Sequence, residues 1–381
     1  MKKYIILGAT GSIGRQSLDL LKKEEVIGFS FYGNVALGLE YINKYEPEVI
    51  CVKDEEIKKY VLELFPDLIV YSGDLGLDKL ATYRCKEDIK LLNALVGIAG
   101  LSPTYRAVEI GRDVLLANKE SLVVGGFLIK REAMKTGAKI IPIDSEHSAI
   151  FQCLVGEKKE DISRLLITCS GGALRNYSLE QLEHVTKNDA LRHPNWQMGA
   201  KITIDCATLV NKAFEVSEAF YLFNMPLEKI EVLIHPESLI HSMVEFKDGN
   251  IKALVSNPDM HLAISYALSY PNGRIENNNR LDFVGKQMNF MKVDEKQYPC
   301  FNLALEAIKK GNIYPCVLNA ANEAAVKLFL EDKIKFTQIY EIIKNELDNI
   351  RDLEESISVE TLVQLSKLTM KEILERFWYK W

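Results

Sequence analysis

Glu215 follows Asn211 and Lys212 by four and three residues, so a helix running from about Thr208 presents an amide, an ammonium and a carboxylate along one side of its first turns. The amide and ammonium can hold an anion, and the carboxylate can ligate a cation. They close the run HPNWQMGAKITIDCATLVNKAFEVSE, residues 193–218. Its opening, His193-Pro194-Asn195-Trp196, reads as a loop, because Pro194 removes a backbone donor and biases its neighbour toward extended geometry. His193 can pair with a phosphate or act as an acid, and Trp196 can cap a pocket. Lone loop His and Trp residues also serve purely structural ends.

Other segments carry compatible chemistry. Asp144-Ser145-Glu146 follows an apolar run ending at Ile143, and in an extended chain its two carboxylates point to one side. An all-oxygen set of this kind suits Mg²⁺ or Mn²⁺, and the plain alternative is a solvated acidic turn with an N-cap. Its position at the carboxyl end of a strand, where open α/β sheets place ligands, favours the metal. Lys119, after the strand Val114 to Leu116, can hold a substrate oxygen or polarise a carbonyl, or simply pair with Glu120 at the surface. Ser170-Gly171-Gly172 exposes backbone N–H groups to an anion, or is an ordinary turn. Together with Asn211 and Lys212 it forms a candidate phosphate site. His235 and His241 are six apart around Pro236, a spacing unlike helical zinc ligands, and are read as core or supporting residues.

The elements that must position these groups begin with a short apolar strand at residues 3–7. Gly8-Ala9-Thr10-Gly11-Ser12-Ile13-Gly14 and an amphipathic run through Leu21 follow it. Strand, glycine turn and helix offer N–H groups and a helix N-terminus to a pyrophosphate, although G-x-x-G-x-x-G also occurs as a bare turn. The second strand ends without an Asp or Glu for a ribose 2′-hydroxyl, which tilts the cofactor from NAD toward NADP. Further strands are expected at Val26 to Phe31, Glu48 to Val52, Leu68 to Tyr71, Leu92 to Val96 and Lys139 to Ile143. Helices between them imply a doubly wound parallel sheet of Rossmann type over residues 1–143. An α+β catalytic region, 144–285, is expected with strands at Arg164 to Cys169, Lys201 to Ile204, Glu231 to Ile234, Ser242 to Phe246 and Ile251 to Val255. A linker, 286–312, then leads to a small helical C-terminal domain, 313–381.

Composition narrows the class. A hydrophobic share of 48% with 26% charged residues describes a soluble globular chain, and a net charge of -6 argues against nucleic acid as the main partner. The seven cysteines form no C-x-x-C pair, which fits a reducing cytoplasm better than a disulfide framework or a zinc site. Gly8 and Gly11 cut the first apolar run short of a signal peptide, and no run is long enough for a membrane span. Together the parts point to reduction, by a nicotinamide cofactor, of a phosphorylated and metal-chelated hydroxycarbonyl compound.

Almost end to end, the chain resembles the 1-deoxy-D-xylulose 5-phosphate reductoisomerase family. GATGSIG, LVGIAGL, LLANKESLV, IPIDSEHSAIFQCL, SGG, HPNWQMGAKITIDCATLVNK, HPESLIHSMV, NPDM and VLNAANEAAV carry the resemblance in family order. It implies metal ligation by Asp144, Glu146 and Glu215, and substrate contacts from Lys119, Ser145, Glu146, Ser170, His193, Cys206, Asn211, Lys212 and Glu215. Trp196 would lie on a flap that closes over substrate. Cofactor contacts would fall on Thr10, Gly11, Ser12, Ile13, Gly33, Asn34, Asn118, Glu120 and Gly199, with Met198 near the nicotinamide. Catalytic roles would rest with Lys119, Asp144, Glu146, His193 and Glu215. The implied reaction rearranges the carbon skeleton of deoxyxylulose phosphate and reduces the resulting aldehyde with NADPH, using Mn²⁺ or Mg²⁺, in a cytoplasmic homodimer.

Some positions leave the family pattern. Cys206 stands where a phosphate-binding serine is usual, Ala173-Leu174 replace Pro-Phe after the glycine pair, and Ala213-Phe214 replace Gly-Leu after Asn211-Lys212. Gly33 occupies a place where Lys, Arg or Ser is common. A thiol donates more weakly than a hydroxyl, so Cys206 bears directly on substrate affinity. Two other readings stand beside this one. A semialdehyde dehydrogenase would use Cys169 or Cys206 as nucleophile, yet neither has a base nearby in sequence. A non-enzymatic NADPH sensor gives no reason for three carboxylates converging with Lys212.

Overall fold

The computed structural model describes residues 2–84, 86–350 and 356–378. Cys85 lies outside them, and the C-terminal region 313–381 is described only in part. The chain packs as two compact units, Met1–Asp144 with Met260–Glu276, and Ser145–Asp259 with Asn277–Trp381.

The first unit is built on seven parallel strands: β1 (Lys3–Leu7), β2 (Val26–Phe31), β3 (Val49–Val52), β4 (Ile69–Ser72), β5 (Ile89–Asn93), β6 (Val114–Leu116) and β7 (Ile140–Pro142). Their order across the sheet is β4-β3-β2-β1-β5-β6-β7. The chain winds outward from β1 to β4 and then crosses back to lay β5 beside β1, which is the α/β architecture expected from the alternating elements. The crossover puts the switch point at the carboxyl ends of β1 and β5. Helices cover both faces, so β2, β3, β5 and β6 are buried along their whole length and are mostly apolar, with Ser30, Lys90 and Asn93 the buried polar exceptions. The expected strand at Leu92 to Val96 instead ends at Asn93. That side chain leaves the ladder to donate to Gly100 O at 2.9 Å and Thr104 Oγ1 at 2.7 Å, while its Oδ1 accepts from Leu95 N.

Helix Met260–Ser269 belongs to this unit although it lies far along the chain. Lys2 Nζ donates to the carbonyls of Leu268, Ser269 and Tyr270 at 2.9, 2.7 and 2.9 Å, and Tyr4 Oη donates to Leu268 O at 2.8 Å. An ammonium at a helix carboxyl end satisfies orphan carbonyls and opposes the helix dipole.

The second unit has a five-stranded sheet of β8 (Ile162–Cys169), β9 (Ile230–Ile234), β10 (Ile240–Phe246), β11 (Ile251–Val255) and β12 (Met291–Lys292), ordered β11-β10-β8-β9-β12. Only β8 and β9 run parallel. Helices Ser145–Cys153 and Val210–Phe223 cover one face, with a core of Ile150, Leu165, Ile167, Val216, Ala219, Val244 and Phe246. Burying the Ile, Leu, Val and Phe side chains among these contributes roughly 1.5–3 kcal/mol each. Helices Pro299–Lys310, Tyr314–Leu330, Gln338–Asp348 and Val359–Trp378 complete the unit.

One expected element differs in kind. Residues 201–204 are not a strand but part of helix Ala200–Ala207. The alternation Ile202-Thr203-Ile204 mimics a strand, yet Lys201 and Asp205 form an i, i+4 ion pair at 2.9 Å and Asn322 Nδ2 donates to Asp205 at 2.8 Å. Packing against helix Tyr314–Leu330 thus overrides β-branched propensity. The next helix starts at Val210 rather than Thr208, because Leu209 adopts φ +58° and breaks the two helices apart.

Candidate active site

In the second unit a lysine sits between two carboxylates. Lys212 Nζ donates to Glu146 Oε1 at 2.7 Å, to Glu215 Oε2 at 2.5 Å and to Thr168 O at 2.8 Å. Asn211 Nδ2 donates to the other oxygen of Glu215 at 2.5 Å, and Ser145 Oγ donates to Glu146. Lys212 and Glu215 are only 3% and 1% exposed. Burial pulls the Lys212 ammonium down, but Glu146 and Glu215 outweigh it and hold the pKa above the usual lysine range. The fold makes this meeting in three steps. The first turns of helix Val210–Phe223 present Asn211, Lys212 and Glu215, helix Ser145–Cys153 brings Glu146 from 66 residues away, and β8 ends beneath with the Thr168 carbonyl. His147 ties the two helices, its Nε2 lying 2.8 Å from Glu215 O.

Past the end of β8, Ser170, Gly171 and Gly172 turn sharply with φ +82° and +71° at the two glycines. A Cβ on Gly172 would meet the Cys206 carbonyl oxygen at 2.5 Å, so only glycine lets the loop lie against the last turn of helix Ala200–Ala207. Cys206 itself is half-buried there. Ser170 Oγ accepts from Gly172 N at 3.0 Å and lies 3.0 Å from His193 Nε2. His193 Nδ1 accepts the backbone N–H groups of Asn195 and Trp196 at 3.3 and 3.0 Å, which leaves the proton of a neutral ring on Nε2, facing Ser170. Burial, with Lys212 and Arg175 adding to it, pushes His193 down to about 4. Near neutral pH this histidine is therefore a neutral donor rather than a cation.

The 193–199 loop is tethered as well as curved. Asn195 Nδ2 donates to Pro236 O and Ser238 Oγ, both at 2.7 Å, and the Trp196 and His241 rings lie 6.2 Å apart. His241 is bonded to Ser256 at 2.8 Å. His235 Nε2 accepts from Leu239 N and Ile240 N while Nδ1 lies 2.9 Å from Asn289 O, so both histidines act as ties of the strand connection. Met198 lies in the loop, and Gly199 caps helix Ala200–Ala207.

In the first unit, Lys119 Nζ lies 2.7 Å from Asp144 Oδ2, joining the helix after β6 to the residue closing this part of the chain. The glycine turn is set by backbone contacts. Gly8 has φ +80° and donates to Ser30 Oγ at 2.9 Å, and Gly11 N donates to Gly8 O at 3.0 Å. A Cβ on Gly14 would meet Gly8 O at 2.2 Å. Helix Ser12–Asp19 has no side-chain cap, and Gly11 and Ser12 are exposed, with Thr10 and Ile13 partly so. A Cβ on Gly33 would meet nothing within 4 Å, and Asn34 caps the helix that follows. Asn118 is turned inward: its Oδ1 caps Ser121 N and its Nδ2 donates to Leu95 O, Gly97 O and the Glu120 carboxylate.

Sequence reasoning passed over Thr168, Arg175, Asn195 and His147. Arg175, three residues beyond the glycine pair, and Asn195, between Pro194 and Trp196, had a readable local signal. The other two meet the site only through packing.

Three family profiles match the chain. That for 1-deoxy-D-xylulose 5-phosphate reductoisomerase covers residues 4–126, and two for its C-terminal domain cover 140–223 and 255–372. The chain is 44% identical to the 1-deoxy-D-xylulose 5-phosphate reductoisomerase of Caldanaerobacter subterraneus subsp. tengcongensis, with 99% of this chain and 100% of that one covered. The Clostridium acetobutylicum enzyme is 43% identical, over 97% and 98%. A solved DOX-P reductoisomerase in complex with NADPH, fosmidomycin and magnesium superposes with a TM-score of 0.91 at 35% identity, covering 99% and 98% of the two chains. The Zymomonas mobilis enzyme in complex with NADPH gives 0.89 at 37%, with 99% of each chain covered. With the matched profiles spanning most of the chain and relatives above 40% identity covered almost end to end, this chain belongs to the 1-deoxy-D-xylulose 5-phosphate reductoisomerase family.

Proposed function

We propose that this chain is an oxidoreductase that converts 1-deoxy-D-xylulose 5-phosphate to 2-C-methyl-D-erythritol 4-phosphate with NADPH and a divalent metal ion, in the non-mevalonate route to isoprenoid precursors. The observation that carries the reading is the convergence of Glu146 and Glu215 on one buried ammonium in a member of this family. The relatives bound to NADPH, fosmidomycin and magnesium support the cofactor pair.

The donor set fits a hard cation, since carboxylate oxygens of Glu146 and Glu215 already meet a positive charge and no sulfur or imidazole stands among the proposed ligands. Asp144 stands two residues before Glu146, so their Cα atoms can lie no more than about 7 Å apart, and it is proposed as the third ligand. Bound there, Mg²⁺ or Mn²⁺ would serve as Lewis acid and template for adjacent carbonyl and hydroxyl oxygens of the substrate. NADPH would supply the hydride.

The chain's own residues do the rest in this reading. Lys119 balances Asp144 and offers its ammonium to a substrate oxygen. Asn211, Lys212 and Ser170 hold the phosphate, with His193 donating from Nε2 and Cys206 standing where a hydroxyl is usual. Ser145 orients Glu146, and Trp196 excludes water from the reacting fragments. Thr10 to Ile13, Gly33 and Asn34 hold the phosphates and ribose of the cofactor, with Asn118 and Glu120 beside them and Met198 and Gly199 near the nicotinamide. The inward Asn118 amide supports a role in shaping the loop after β5. Manganese as an alternative metal, a homodimeric assembly and a cytoplasmic setting belong to the same proposal. Among the described residues no disulfide joins the six cysteines, and no helix is long and apolar enough to cross a membrane.

The test is NADPH oxidation on addition of deoxyxylulose phosphate, run with Mg²⁺, with Mn²⁺ and with chelator. Turnover restored by either ion and abolished by chelator is expected. Chelator-insensitive turnover that thiol alkylation stops would favour a cysteine mechanism instead.

A further inference from the structure

Arg175 takes no part in the function proposed above, yet it stands at the anion loop. Its Nη1 donates to the main-chain oxygen of Ser170, the residue whose hydroxyl faces His193. Its stem lies over Gly171, where an added Cβ would meet Arg175 Cδ at 2.8 Å and Cγ at 3.0 Å. The loop beneath is anchored from elsewhere in the unit. Tyr298 Oη donates to Gly171 O at 2.9 Å, and Gln297 Nε2 donates to Arg175 O at 2.6 Å and Leu174 O at 3.1 Å. The guanidinium is thus held on an immobilised turn. The residue is half-buried.

Charge balance gives this placement a purpose. A phosphate monoester carries about -1.5 to -2 near neutral pH. His193 supplies no positive charge there, because both its neighbours and its burial keep it neutral. Lys212 supplies one charge and shares it with Glu146 and Glu215. Cys206 offers only a weak donor. Arg175 adds a permanent charge, and its Ser170 carbonyl bond uses one of five N–H donors.

We infer that Arg175 is a further recognition residue of this site, supplying the second positive charge for the substrate's phosphate and setting the preference for phosphorylated substrates. The inference rests on the function proposed above. A phosphate meeting Ser170 and the Gly172 turn comes within reach of the guanidinium, whose planar fork matches phosphate oxygens.

The experiment compares wild type with Arg175→Lys, Arg175→Gln and Arg175→Met in NADPH oxidation with deoxyxylulose phosphate. Lysine and glutamine can each still donate to Ser170 O, but only lysine keeps the charge. Methionine keeps an apolar stem over Gly171, giving a second neutral variant should glutamine fold poorly. Thermal unfolding and NADPH binding report whether each variant is folded. In the neutral variants KM for deoxyxylulose phosphate should rise about tenfold, with kcat and KM for NADPH within about twofold, and lysine should recover most of the loss. Raising ionic strength should increase that KM in wild type and Arg175→Lys but much less in the neutral variants, since screening acts on a charge pair. Equal KM values across all four proteins, or losses as large in lysine as in glutamine with an unchanged salt response, would overturn the role of Arg175. A wild type that fails to oxidise NADPH with this substrate overturns the functional reading itself, and the inference with it.

Discussion

The glycine turn of the first unit and the carboxylate–lysine cluster of the second are built by opposite means. At the turn there is almost no side chain: Gly11 and Gly14 stand against Gly8 O, Gly8 stands against the Ala94 backbone, and the helix that follows begins without a side-chain cap, the kind of end that can receive an anion. In the cluster the charges are all on side chains, with Lys212 buried between Glu146 and Glu215 and a single main-chain group, the Thr168 carbonyl, taking its remaining donor. A backbone site has no ionisable group to lose and depends on close approach. A buried charge cluster depends on balance, so removing one partner leaves the others uncompensated.

The largest effect is expected at Lys212. Lys212→Met should lower stability by about 3–5 kcal/mol, because the buried Glu215 and the part-buried Glu146 both lose the ammonium that lies against them. Saturating Mg²⁺ should restore part of that stability if the carboxylates are its ligands. Denaturant unfolding with and without the ion measures both effects. Gly14→Ala attacks the other region by geometry alone. Its Cβ would stand 2.2 Å from Gly8 O and 2.7 Å from Ala9 Cα, backbone atoms that cannot step aside singly. NADPH affinity should fall about tenfold or more by fluorescence titration, with metal affinity unchanged. The smallest effect is expected at Cys206. Cys206→Ser should lower KM for deoxyxylulose phosphate by about two- to fivefold, a hydroxyl being the better donor, and leave KM for NADPH alone.

The same contrast explains what could be read from the sequence. The turn and its strand are local, so apolar residues 3–7 followed by Gly8, Gly11 and Gly14 announced strand, turn and helix together. The parallel sheet followed from repeated apolar runs separated by amphipathic ones. Spacing placed Asn211, Lys212 and Glu215 on one side of a helix, but nothing local says that Glu146 joins them from 66 residues away; only the family resemblance pointed there. The tautomer of His193 depends on how Asn195 and Trp196 fold back on it, and the Arg175 bond depends on a turn of two left-handed glycines. Residues 201–204 carry a strand-like alternation, whereas the Asn322 to Asp205 bond that accompanies their helical state comes from 117 residues away in the chain. Helix Met260–Ser269 joined the first unit through Lys2 and Tyr4, contacts more than 260 residues apart in the chain.

In the proposed function Glu215 belongs to a metal site required for turnover. Its direct test is Glu215→Gln, which nearly preserves shape and removes the charge, assayed for Mn²⁺ binding by electron paramagnetic resonance and for NADPH oxidation with deoxyxylulose phosphate. Both metal affinity and kcat should fall at least about 100-fold, with NADPH binding intact. A variant that binds Mn²⁺ and turns over like the wild type would contradict the account.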